Sequence, residues 1–168
     1  IQVILMIQFV AFVGALIFGR LAARFGARNV LAVSLVIWSA VVIYAFFGLN
    51  GDELVFGAMP RREFEFWLLG AAIALVMGGS QAISRSLFAR MIPPGKEAEF
   101  FSIYEVSERG TSWLGPLLFG LVNDLFANLR LAILSLILFF VVGLALLVFW
   151  VNVDRAINES GRSGAAAA

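Results

Sequence analysis

The 168-residue sequence contains no cysteine and no histidine. Without Cys there can be no disulfides, iron–sulfur clusters or thiolate metal sites. Without His the usual general base is absent. Ser–His and Cys–His nucleophile pairs and imidazole metal ligands go with it. No metal, no cofactor and no enzyme activity are expected. Charge is also scarce: 14% of residues are Asp, Glu, Lys or Arg, against about 25% in an average soluble domain. The 12 basic and 11 acidic residues leave a net charge of +1, and no basic stripe points to nucleic acid.

What fills the chain is apolar. Hydrophobic residues make up 62% and mean hydropathy is +0.99. So little polar surface cannot cover a water-facing domain, and the expectation is an all-α polytopic membrane helical bundle in contact with the lipid bilayer. A helix needs about 20 apolar residues to cross a hydrocarbon core of about 30 Å. Uncharged runs of that scale occupy residues 1–19, 29–51, 66–84 and 131–153. A fifth run, 110–123, holds 14 residues and reaches only about 21 Å. It spans if residues 100–109 extend it, and is otherwise interfacial or re-entrant. The full span is favoured. About five transmembrane helices are therefore expected, at 1–19, 29–49, 66–89, 100–124 and 130–152. They form one bundle over 1–153, followed by a polar tail at 154–168.

Loop charge assigns the sides. Arg20, Arg24, Arg28, Arg85, Arg90, Lys96, Arg155 and Arg162 fall on one side of such a bundle, and only Arg61, Arg62 and Arg130 on the other. The basic side is read as cytoplasmic, which places the tail inside. The chain opens on Ile1 and is apolar at once, with neither the basic start nor the cleavage site of a secretory signal. It reads as part of a larger protein.

Two motifs stand on the basic side. The first is Gly19-Arg-Leu-Ala-Ala-Arg-Phe-Gly-Ala-Arg28. Its glycines permit a tight turn, and its arginines suit carboxylates or the C-termini of neighbouring helices. The pattern resembles the G-x-L-x-D-R-x-G-R-R loop of the major facilitator superfamily. Gly19, Leu21, Arg24, Gly26 and Arg28 match, while Ala23 stands where the family has Asp. A gating ion pair built on that Asp has no carboxylate here. The degenerate form is closer to the copy between the eighth and ninth helices of that superfamily than to the first copy.

The second motif runs from Gly78 to Tyr104. Gln81, Ser84, Arg85, Ser86, Pro93, Gly95, Glu99, Phe100, Phe101 and Tyr104 resemble the vacuole effluxer-like branch of that superfamily. The branch includes the autophagy-related vacuolar amino acid effluxers and their bacterial relatives. Gly115, Pro116 and Gly120 resemble the helix that follows. The resemblance covers nearly the whole chain. It implies the C-terminal part of a twelve-helix fold built of two six-helix halves, with these five as helices eight to twelve and seven helices, among them the whole N-terminal half as partner, preceding them. It also implies secondary active transport of a small solute by alternating access, with amino acid efflux and proton coupling among the candidate activities. The expected location is the cell (inner) membrane, with the C-terminus cytoplasmic on the loop-charge assignment.

The residues carry their own argument. Gln81, Ser84, Arg85 and Phe88 share one helix face, as do Glu105, Glu108, Arg109 and Ser112 on the next helix. Arg85 and Glu105 lie at similar remove from the turn at residues 93–95, so an ion pair between the helices is expected. Glu105 and Arg109 can also pair at i,i+4. Charge near a bilayer is costly and usually faces partners or a cavity. Arg85, Glu105, Glu108 and Arg109 are therefore candidates for a gating or charge network, with a structural ion-pair network as the plain alternative. Gln81, Ser84 and Tyr104 are candidates for a solute path. Gly115, Pro116 and Gly120 are candidates for a helix bend. Gly70, Gly78 and Gly79 read as close-packing positions. A reading from another class remains: a non-transporting membrane subunit that docks a partner through its Gly-rich helices.

Overall fold

The computed structural model describes residues 2–47, 54–55, 59–153 and 155–159. Asp52, Glu53 and the tail residues 160–168 with Arg162 lie outside them. The chain is an all-α membrane helical bundle: α1 (Gln2–Phe25), α2 (Ala27–Phe47), α3 (Arg61–Met91), α4 (Glu97–Thr111), α5 (Leu114–Phe126), α6 (Leu129–Ser135) and α7 (Ile137–Ala145). A five-residue π turn, Leu146–Trp150, ends the last helix. Ahead of α3, β1 (Leu54–Val55) and β2 (Met59–Pro60) pair antiparallel over two residues.

Helix α1 continues past the uncharged run to Phe25. Leu21, Ala22, Ala23 and Arg24 are good helix formers, and nothing breaks the ladder until Gly26. That glycine, at φ 87°, is the single residue between α1 and α2. Its N–H donates to the Ala22 carbonyl at 3.0 Å, and its own carbonyl accepts from Val30 N–H at 3.2 Å. Most of the expected loop is therefore helix. Helix α3 has 31 residues, about 46 Å, so its charged ends reach beyond an apolar layer of about 30 Å.

The expected span at 100–124 is two helices in series. The ladder breaks at Ser112–Trp113, although both residues keep right-handed dihedrals. Pro116 supplies the cause. It has no N–H for the Ser112 carbonyl, and its ring crowds that carbonyl. Alone, α4 with 15 residues and α5 with 13 are too short to cross. Among the described residues, four helices are long and apolar enough: Val3–Phe25, Ala27–Phe47, Arg61–Met91 and Leu129–Trp150.

The core lies where α1, α2 and α3 meet. Phe18, Val30, Val76 and Ile83 are buried there, flanked by Leu21, Leu31, Trp38 and Leu75. Helices α1 and α3 run parallel, with Met6 over Gly70 and Phe18 against Gly79. Their backbones touch at glycine. A Cβ at Gly78 would overlap the Ala11 backbone, and one at Gly14 would overlap the Leu75 carbonyl. Small residues permit this approach where no hydrophobic force drives helices together. Helix α2 also packs on α6 and α7, with Trp38 stacked on Phe140 at 5.4 Å. Large apolar side chains such as Phe9, Leu125 and Phe149 face outward, as suits a surface that meets lipid or other helices.

Candidate functional site

Two places at the basic end of the bundle carry chemistry. The first joins α3 to α4. The intervening turn closes with Lys96 N–H on the Pro93 carbonyl at 3.2 Å, and Gly95 sits at φ 85°. The Glu97 carboxylate accepts from Gly95 N–H at 3.1 Å. Backbone N–H groups, its own first and then that of Gly95, hold the Glu97 carboxyl below its ordinary value. This turn folds α4 back so that its face meets that of α3.

Arg85 is the centre of the contact. Its Nη2 stands 3.1 Å from Glu105 Oε1 and 3.4 Å from Glu108 Oε2. Arg109 Nε lies 3.6 Å from Glu105 Oε2. Two guanidinium groups thus balance two carboxylates. Below them, Phe88 packs edge-on to Phe101 at 5.6 Å and tilted on Tyr104 at 5.0 Å. The Arg85 guanidinium also lies over the Tyr104 ring at 5.9 Å, within cation–π range. The cluster is open rather than buried. Arg85 is 53% exposed and Glu105 42%, so the charges are available to a neighbouring element or to solvent.

The candidates for a solute path are only partly assembled. Tyr104 belongs to the aromatic group, and Gln81 is exposed on the same face of α3 as Arg85. The Ser84 hydroxyl is turned back onto its own helix, donating to the Ser80 carbonyl at 2.8 Å. Gly115 and Gly120 have open space around them. With Pro116 they lie on α5, just past the break in the ladder.

The second place is the α1–α2 motif. Gly19 is open in the last turns of α1, and Leu21 packs against the core. Arg24 lies 5.4 Å from the Phe25 ring. Arg28 reaches across the bundle, its Nη2 donating to the carbonyls of Val148 at 2.8 Å and Leu147 at 3.3 Å. The π turn pairs Val151 N–H with the Leu146 carbonyl, and the carbonyls near a helix C-terminus attract a cation. A helix C-terminus was one of the two acceptor types the sequence offered, but which helix supplied it was not readable. Gly14 and Asn128, which caps α6 through Arg130 N–H and Leu131 N–H, carry no motif in the sequence, and Phe101 stands there as a motif residue without a packing role.

The profile of the family described as vacuole effluxer Atg22 like matches residues 1–161. The chain belongs to the vacuole effluxer Atg22-like family. Autophagy-related protein 22 of Kluyveromyces lactis is 38% identical over 138 residues, which is 82% of this chain and 27% of that protein. The uncharacterized MFS-type transporter YxiO of Bacillus subtilis is 35% identical over 142 residues, 84% of this chain and 30% of that protein. Autophagy-related protein 22 of Saccharomyces cerevisiae is 39% identical over 97 residues, 57% of this chain and 18% of its own length. No solved structure matches. This Atg22-like chain thus spans less than a third of the length of the relatives it matches. Its apolar helices and its transporter relatives make it an integral, multi-pass membrane protein.

Proposed function

We propose that this chain is the C-terminal part of a secondary active transporter that moves a small solute by alternating access, with amino acid efflux as the first activity to test. In this reading an N-terminal helical half completes the cavity. The basic end and the C-terminus face the cytoplasm of a cell whose inner membrane holds the protein. Arg85, Glu105, Glu108 and Arg109 form a gate whose carboxylates are candidates for proton coupling.

One observation supports this reading most: Arg85 of α3 holds two carboxylates of α4 at once, in the open, beside the break at Ser112–Trp113. Ion pairs between two helices form and part as the helices move. A rod interrupted at one point can move its ends separately. Alternating access needs both properties at a cavity mouth. Gln81 and Tyr104 stand next to the cluster, where a polar solute would pass.

The test is a charge exchange in the full-length transporter, reconstituted in proteoliposomes and assayed with labelled neutral amino acids. Arg85→Glu and Glu105→Arg should each lower the transport rate by about tenfold or more, and the double exchange should recover most of that loss. Equal damage in all three variants would overturn the gating pair. Absence of any solute movement by the unmodified protein would favour the docking-subunit reading instead.

A further inference from the structure

The basic end holds a second feature, which the charge network does not use. A cavity of about 300 Å³ opens between the start of α2, the end of α3 and the short helical segment after the π turn. Arg28, Asn29 and Arg90 line it, with Leu87, Val153 and Ile157 as its apolar wall. Only Nη2 of Arg28 is engaged, on Leu147 and Val148. Its Nη1 and Nε remain open for a ligand. Arg90, at the end of α3, has no ion-pair partner among the described residues. No described acidic side chain lines the cavity. Two cations that meet no counter-charge among the described residues call for an anion.

An apolar groove shares a lining residue with this cavity. It runs along α1 and α2 over Phe18, Phe25, Val30, Val33 and Ile37, with a volume of about 530 Å³. Asn29 borders both spaces. A polar recess with two arginines, adjoining an apolar channel along two membrane helices, has the shape of one amphipathic ligand.

We propose that this is a binding site for an anionic phospholipid, its phosphate between Arg28 and Arg90 and an acyl chain along the α1–α2 groove. A free phosphate has no use for the groove, and a zwitterionic lipid adds a positive charge where two already stand. Basic pockets between helices hold anionic headgroups in this way. The site does not depend on what the protein transports, and its test does not measure transport.

The experiment uses the full-length protein in phosphatidylcholine nanodiscs doped with phosphatidylglycerol, with lipids that survive detergent extraction counted by native mass spectrometry. Phosphatidylglycerol should be retained in preference to phosphatidylcholine. Arg90→Gln, at an exposed side chain without a partner among the described residues, should weaken that retention about fivefold, and Arg90→Lys should restore most of it. Val33→Trp, which fills the groove and leaves the arginines in place, should weaken it as well. Equal retention of the two lipids, or no effect of Arg90→Gln, would overturn the site. Displacement by millimolar inorganic phosphate with no effect of Val33→Trp would overturn the lipid and leave a soluble phosphate as the ligand.

Discussion

Replacing Gly78 with alanine puts one methyl group into the α1–α3 crossing. The new Cβ would meet the Cα, carbonyl carbon and oxygen of Ala11. These are backbone atoms, so no rotamer change relieves the overlap and the helices must part. Overpacking of this kind costs about 1–3 kcal/mol. Alanine recovers up to about 1 kcal/mol as the better helix former. The net is a loss of up to about 2 kcal/mol. Gly120→Ala is the control: open space surrounds it, so only the propensity gain applies and the sign reverses. Gly14→Ala should behave like Gly78→Ala, since its Cβ would overlap the Leu75 carbonyl. Both clashes are relieved by the same separation, so the double variant should lose less than the sum of the two singles. Thermal unfolding of the purified protein in one mild detergent measures all four variants. If Gly78→Ala unfolds no earlier than Gly120→Ala, the close crossing is refuted.

Two further outcomes follow from local geometry. Ala127 ends α5 at φ 47°, a left-handed conformation that costs an L-residue about 1–2 kcal/mol. Part of the gain on removing it is lost to the entropy of glycine, so Ala127→Gly should stabilise by about 0.5–1 kcal/mol in the same unfolding assay. Glu97 has its carboxyl held below its ordinary value of 4.5. The stability it lends the α3–α4 turn is complete above that ordinary value and is lost as pH falls through the depressed one. Glu97→Gln should remove this acid-side dependence, read from hydrogen exchange at Gly95 across an acid titration.

Much of this fold is written in its hydrophobic runs, because a membrane helix must satisfy its own backbone and needs a fixed apolar length. The expected segments 29–49 and 66–89 correspond to α2 and α3 within a few residues at most ends. Two kinds of information were harder to read. The charges after Gly19 suggest a loop, yet arginine is a good helix former, and a single glycine at positive φ is enough to turn the chain. Pro116 was visible, but the residue it disturbs lies one turn upstream, so the interruption falls at Ser112–Trp113 rather than at the Gly-Pro pair. For the charge cluster, the equal distance of Arg85 and Glu105 from the turn at 93–95 carried the pairing. The roles of Gly14 and of the Leu147 and Val148 carbonyls depend on which helices meet, and no local pattern encodes that.

The bond from Arg28 to the end of the last helix has a consequence for how the chain is made. Its acceptor carbonyls lie 119 and 120 residues downstream of its donor. Synthesis is vectorial, so the α1–α2 hairpin is threaded before its mate exists, and this guanidinium waits while the 119 residues up to Leu147 are made. The bond closes only on a chain that has reached the π turn. A chain stopped short of Leu147 would carry every residue of the α1–α3 core and still lack its latch. The α1–α2 motif thereby registers that the π turn has been made.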